Sequence, residues 1–278
     1  MKDLVKRTLT GAVYVISVIV ATCINKYVAA AYFGIIVLLG LKEFLQIAIS
    51  KGIHQNKVMV YLSSVLIYAS VVAFAWNAQP YASILMFSGL LSVLGMLIST
   101  LYLKNETPFT SLAYSFTSIL YITLPLALSN MIYAMQANTN YNLLLSIFIF
   151  AWCNDTFAYL VGCKFGKKRL FERHSPKKSW EGFFGGLSAT IIAAVVMYLI
   201  YGNGLVAWLL IAILTSVVGT LGDLVESMFK RQMGVKDSGN ILPGHGGILD
   251  RFDILLLVLP AVWICLSLLG QFFPVFSD

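Results

Sequence analysis

Asp155, Asp223 and Glu226 are carboxylates set inside long apolar stretches. Hydrocarbon solvates such groups poorly, so an ionisable residue at that depth marks a functional site unless a structural partner explains it. Asp155 lies nine residues before Lys164, and Asp223 lies seven before Lys230. On helices rising about 1.5 Å per residue, both acids fall at similar depth below one basic surface, as the wall of a polar funnel would. The plainer alternative is that each carboxylate only pairs with a Lys or Ser of a neighbouring helix.

Two further stretches carry polar chemistry. Ser175-Pro-Lys-Lys-Ser-Trp-Glu-Gly182 places Lys177, Lys178 and the hydroxyls of Ser175 and Ser179 within eight residues. These donors suit phosphate, although Trp and Lys at the foot of a span also mark the lipid headgroup level. The nearby glycines, Gly162 with Gly166 and Gly182 with Gly185 and Gly186, read as close helix packing rather than phosphate loops. The second stretch runs from Ser227-Met-Phe-Lys-Arg231 through Lys236-Asp237 to Leu242-Pro-Gly-His-Gly-Gly-Ile-Leu-Asp-Arg-Phe-Asp253. It interleaves cations, acids and glycines in a way that neither a span nor a plain loop requires.

The elements that must position these residues are membrane helices. Of the 278 residues 59% are hydrophobic and 11% charged, with a mean hydropathy of +0.84, against roughly a quarter charged in a soluble domain. Apolar runs fall at 8–24, 28–50, 58–76, 81–103, 111–134, 142–163, 183–201, 205–229 and 253–274, each near the ~20 residues that a span needs. The reading is an all-α polytopic integral membrane protein of about nine transmembrane helices. Residues 1–140 form about five spans, and 141–278 form a catalytic region with loops 164–182 and 230–252. With a cytosolic N-terminus, 17 of the 19 basic residues fall on the inside, leaving Lys26 outside and Lys42 within the second run beside Glu43. The net charge of +7 is therefore topological rather than a sign of nucleic acid. Cys23, Cys153, Cys163 and Cys265 lie in apolar runs without a CxxC pair, and His54, His174 and His245 lack metal-site spacing; the cysteines read as packing residues.

The segment from Ser227 to Asp253 resembles the signature of the phosphatidate cytidylyltransferase family. Ser227, Lys230-Arg231, Lys236-Asp237, His245-Gly246-Gly247 and Asp250-Arg251-Phe252-Asp253 stand at the expected spacings. The Asp155-Thr-Phe-Ala-Tyr159 and Ser175–Gly182 stretches are similar to that family as well, so the resemblance covers the last 130 residues or so. It implies transfer of a cytidylyl group from CTP to phosphatidic acid, giving CDP-diacylglycerol and diphosphate, by a homodimer in the bacterial inner membrane with its site facing the cytosol. The expected cofactor is Mg²⁺, as one or two ions, with an additional monovalent cation as a further expectation. Mg²⁺ takes one or two carboxylates plus substrate phosphates, so Asp223 and Asp250 lead as ligands, with Asp155, Glu226 and Asp253 as further candidates. Lys230, Arg231, Lys236 and Arg251 would hold phosphates, while Gly244, Gly246 and Gly247 let backbone N–H groups approach them. Asp237 belongs to the same substrate-binding stretch. His245 would orient a phosphate or carry a proton, although a phosphate monoester is already largely ionised near pH 7 and needs little base assistance.

Two rivals remain at this stage: another membrane transferase acting on a lipid phosphate or prenol, and an ion-coupled transporter. A transporter needs polar groups through both membrane halves, whereas the buried acids gather toward one side and the basic, glycine-rich segment suits phosphate. The charge asymmetry makes its own prediction. Single cysteines at Lys177 and Ser238 should react only with reagent admitted to the cytosol, and one at Asn138 only from outside; labelling of 177 and 238 from opposite sides would break the topology.

Overall fold

A computed structural model describes residues 2–272 apart from 103, 105, 137, 138, 203, 243 and 245, with side chains described over 8–268. His245 and Asn138 therefore lie outside the described residues. The chain is an all-α membrane protein with one small hairpin. The helices are α1 (Lys2–Cys23), α2 (Lys26–Ile49), α3 (Lys57–Ala75), α4 (Tyr81–Ser99), α5 (Pro108–Ser118), α6 (Leu124–Met135), α7 (Leu143–Phe165), α8 (Trp180–Tyr201), α9 (Leu205–Gln232) and α10 (Leu249–Phe272). Strands β1 (Arg169–Phe171) and β2 (Ser175–Ser179) stand between α7 and α8. Among the described residues eight helical stretches are long and apolar enough to cross a membrane, α5 and α6 counting as one; α1 carries a shorter apolar stretch, Thr8–Cys23.

Short polar residues start several of these helices, because the first N–H groups of a helix lack internal acceptors. Asn25 accepts from the N–H groups of Tyr27 and Val28, Asn56 from Met59, Asn142 from Leu145 and Ser179 from Gly182. Residues 111–134 read as one span, but the structure joins α5 to α6 through a π turn, Ile119–Thr123. Pro125 has no N–H to return to the preceding turn, and the wider turn lets the N–H of Leu124 bond the carbonyl of Ile119 instead.

The chain forms two compact units. One comprises Met1–Met135 with Met233–Phe252; its core is built from Phe33, Leu41, Phe44 and Leu45 of α2 with Ile122, Leu126 and Ile132. The other comprises Gln136–Gln232 with Asp253–Asp278, around Phe148, Phe150, Trp208, Leu256 and Leu259.

Within the second unit α7 and α8 pack closely, and the glycines explain how. A Cβ on Gly182 would stand 2.7 Å from the carbonyl oxygen of Ala158, one on Gly185 2.6 Å from Val161 Cβ, and one on Gly186 2.6 Å from Asn154 Oδ1. Missing side chains let the two backbones approach, where packing rather than hydrophobic exclusion must hold membrane helices together. Asn154 Oδ1 also accepts from Ser216 Oγ of α9 at 2.7 Å, so the same atom ties a third helix into the contact.

Three boundaries differ from the sequence expectation. Loop 164–182 contains an antiparallel hairpin pairing Arg169 with Ser179 and Phe171 with Ser175; strands so short and poor in β-branched residues give no periodic signal. α8 starts at Trp180 rather than 183 and α10 at Leu249 rather than 253, which puts Asp250, Arg251 and Asp253 in the first turns of a helix. α9 continues through Lys230 and Arg231, so these two cations stand on a helix end and not in a loop.

Gly186→Ala should therefore lower thermal stability in detergent by the equivalent of about 1–3 kcal/mol, the usual cost of overpacking. Gly95→Ala on α4, where the nearest atom to a new Cβ is Met59 Sδ at 4.0 Å, should leave the melting temperature unchanged or slightly raised. Equal effects of the two substitutions would show that the α7–α8 contact is not the constraint.

Candidate active site

A cleft of about 610 Å³ opens within the second unit. α7 contributes Asp155, Tyr159 and Gly162, the hairpin contributes Arg169, Lys177 and Lys178, α8 contributes Gly182 and Phe183, and α9 contributes Thr220 and Asp223. Its wall is thus basic along the hairpin and acidic along α7 and α9. The two sides meet in an ion pair, Lys178 Nζ to Asp223 Oδ2 at 2.6 Å, with both side chains about a quarter exposed (26% and 28%). Ser227 Oγ donates to Asp223 Oδ1 at 3.2 Å one turn further along α9.

The hairpin is held in place rather than left to its own two strands, which alone would be marginal. Glu181, in the first turn of α8, accepts from the backbone N–H of Lys167 at 3.0 Å and of Lys168 at 3.2 Å. The N–H of Trp180 donates to the carbonyl of Lys168 at 2.9 Å. β2 runs without a break into α8, with Ser179 as its cap.

Two further acids of this unit stand on α9 and α10. Glu226 is buried and pairs with Lys230 one turn along α9. Asp253 is half-buried near the start of α10, its Oδ1 accepting from the N–H of Ile254 at 2.8 Å. The carboxylates of this unit offer oxygen donors, which suit a hard ion. Among the described residues no three His, Cys, Asp or Glu side chains converge as a ready-made cage. Mg²⁺ takes one or two carboxylates and completes its octahedron with water and substrate phosphates, so Asp155 and Asp223 of the cleft are the residues that could hold it.

The signature stretch after α9 belongs to the other unit. Asp250 Oδ2 accepts from the N–H of Ser238 at 2.9 Å, the N–H of Gly247 at 2.8 Å and Ser238 Oγ at 3.0 Å. The N–H of Leu242 donates to the carbonyl of Gly246 at 3.0 Å. Gly246 has φ +83°, and a Cβ there would stand 2.6 Å from Asp250 Oδ2, so two separate demands restrict that position to glycine. Lys236 and Asp237 are exposed, and Arg251 is half-buried with its carbonyl accepting from Tyr14 Oη at 3.1 Å.

Of the residues singled out from sequence, the cleft collects Asp155, Asp223, Lys177, Lys178 and Ser179. Ser175 starts β2, and Arg231 is exposed at the end of α9. Gly247 is buried. Sequence reasoning passed over Arg169, Tyr159, Thr220 and Glu181. Arg169 was counted only as a topological charge, and only its pairing opposite Ser179 turns it toward the cleft.

Residues 5–269 match the profile of the Cytidylyltransferase family. The chain is 36% identical over 264 residues to the phosphatidate cytidylyltransferase of Staphylococcus haemolyticus (strain JCSC1435), covering 94% of this chain and 98% of that protein. It is 34% identical over 263 residues to proteins of the same name from Staphylococcus aureus (strain COL) and Staphylococcus epidermidis (strain ATCC 12228 / FDA PCI 1200), again covering 94% of this chain and 98% of each relative. A match this long takes in both spans and signature: the chain belongs to the cytidylyltransferase family.

Proposed function

We infer that this protein is a phosphatidate cytidylyltransferase, joining CTP and phosphatidic acid into CDP-diacylglycerol with release of diphosphate. The observation that carries the reading is the cleft itself, whose cationic edge of Arg169, Lys177 and Lys178 faces Asp155 and Asp223 across a salt bridge. Both substrates are polyanions, so bringing them together needs fixed cations on one side and a cation site on the other. An oxygen of the lipid phosphate attacks the α-phosphorus of CTP. The bond from that phosphorus to the bridging oxygen of the β-phosphate breaks, and diphosphate leaves with the electron pair.

Lys178 has two partners available in this scheme. Before substrate arrives it neutralises Asp223; a phosphate in the cleft competes for its ammonium, releasing the carboxylate for a metal ion. Because the pair is partly exposed, its own contribution to stability is about 0–1 kcal/mol, and exchange of partners costs little. Asp223 holds Mg²⁺ in this proposal, with Asp155, Glu226 and Asp253 supporting it. A bound Mg²⁺ supplies charge neutralisation on the phosphate oxygens. Asp250 is a separate proposed ligand on the signature stretch, where Lys230, Arg231, Lys236 and Arg251 supply phosphate-binding charge. His245 orients a phosphate, and Asp237, Gly246 and Gly247 bind substrate. The homodimer, an additional monovalent cation, the bacterial inner membrane and the cytosolic face belong to the same proposal and rest on family likeness and loop charge.

Purified protein given labelled CTP and phosphatidic acid should form CDP-diacylglycerol and diphosphate when Mg²⁺ is present and not when it is chelated. Absence of product at every metal condition overturns the assignment.

Two substitutions test the ligands. Asp223→Asn should fold normally and lose at least a hundredfold in turnover, since an amide lacks the charge that offsets Mg²⁺ dehydration. Asp250→Asn can keep a carbonyl oxygen in the place of Oδ2 and so retain the bonds from Ser238 and Gly247; its melting temperature should stay within a few degrees of the parent while synthesis is lost, with weak rescue by excess Mg²⁺. Parent-like turnover by either variant removes that residue from the metal site.

A further inference from the structure

Besides Glu226, a second carboxylate is buried among the described residues. Glu43, on α2, is 2% exposed, and it reaches the signature stretch almost two hundred residues later. Its Oε1 accepts from the N–H of Ile248 at 2.9 Å, and its Oε2 accepts from the N–H of Leu249 at 3.0 Å and from Ser238 Oγ at 3.0 Å. The N–H groups of Ile248 and Leu249 are at the start of α10, where a helix leaves donors unsatisfied and favours negative charge. Ser238 Oγ also stands 3.0 Å from Asp250 Oδ2; its single proton is given to one carboxylate at a time, so the hydroxyl serves the two in alternation. The fit is tight on every side. A Cβ on Gly247 would collide with Ser238 Oγ and with Glu43 Oε2, and one on Gly239 would meet Glu43 at close range.

We propose that Glu43 is a positioning residue for cytidylyl transfer: it fixes Ser238 and the start of α10 at Ile248 and Leu249 and, through them, the carboxylate of Asp250. This rests on the function inferred above. The geometry requires a carboxylate, because its two oxygens answer donors on both sides. A glutamine there keeps one acceptor and turns an NH₂ toward the N–H of either Ile248 or Leu249, donor against donor. A displacement of about 1 Å in groups that align reacting atoms can cost about a hundredfold in rate, while ground-state binding through many separate phosphate contacts changes less. The loss should therefore fall on kcat.

The test uses full-length protein in detergent or nanodiscs. Glu43→Gln should lower kcat for CDP-diacylglycerol formation at least tenfold and leave KM for CTP within about threefold, since misalignment is felt mainly in the transition state. Hydrogen–deuterium exchange should quicken in peptides covering 237–250 and stay at parent rates in α3. Ser238→Ala should show a smaller loss of the same kind, and the double variant should lose less than the product of the two single losses, because both break one linked set of bonds. Parent-like kcat in Glu43→Gln overturns the proposal; so does faster exchange throughout α2 and α3, which would make Glu43 a general stabiliser. If Glu43→Gln does not fold, Ser238→Ala decides alone: unchanged kcat and unchanged exchange over 237–250 overturn it. A parent protein that makes no CDP-diacylglycerol would sink the assigned function instead, and exchange over 237–250 would still read whether Glu43 holds the segment.

Discussion

A carboxylate carried below a membrane surface must bring its partners with it, because neither lipid nor neighbouring apolar side chains can take the place of water. Four buried or half-buried acids of this chain meet that demand in three ways. Glu226 has a lysine one turn away on the same helix. Asp223 has a lysine delivered by a hairpin. Asp250 and Glu43 have backbone N–H groups and a shared hydroxyl. The difference matters chemically. A lysine can exchange its carboxylate for another anion, whereas bonds from backbone N–H groups hold an acid in one orientation, so the first arrangement suits a place where ligands come and go and the second fixes where a carboxylate points.

Around these acids the structure is economical. Glycines at the α7–α8 contact remove side chains where a cleft must sit between close helices, and Asn154 and Ser216 add a polar tie beside them. The hairpin contributes cations that no helix of the unit could place there, since α7 has passed its C-terminus and α8 has not begun. Glu181 joins its two ends through the N–H groups of Lys167 and Lys168.

Much of this was legible because membranes make some signals loud. The cost of ionised groups in hydrocarbon picked out Asp155 and Asp223, and the glycines of α7 and α8 read correctly as packing. The same rule applies to Glu43, named from the sequence only as the neighbour of Lys42. Residues adjacent in a helix point about 100° apart and do not face each other, so Lys42 cannot satisfy Glu43. The hairpin was invisible for another reason: its strands are held by Glu181 and by the backbone of Trp180, contacts made across the turn, and nothing in Arg169–Phe171 or Ser175–Ser179 carries a two-residue alternation. The early starts of α8 and α10 were hidden by polar first turns, where a hydropathy run begins later than the helix does.

The unbroken passage of β2 into α8 has a consequence for the lipid as well as for the protein. With no linker between Ser179 and Trp180, Lys177 and Lys178 ride on the end of a spanning helix, and each residue of axial slip in α8 would carry them about 1.5 Å along the membrane normal. Asp223 rides on a different helix, α9, which is longer. Bilayers thicker or thinner than a helix's apolar length are accommodated by tilt and small shifts, and helices of unequal length respond unequally. A change in bilayer thickness that shifted one of these helices against the other would change the spacing between the ammonium and the carboxylate.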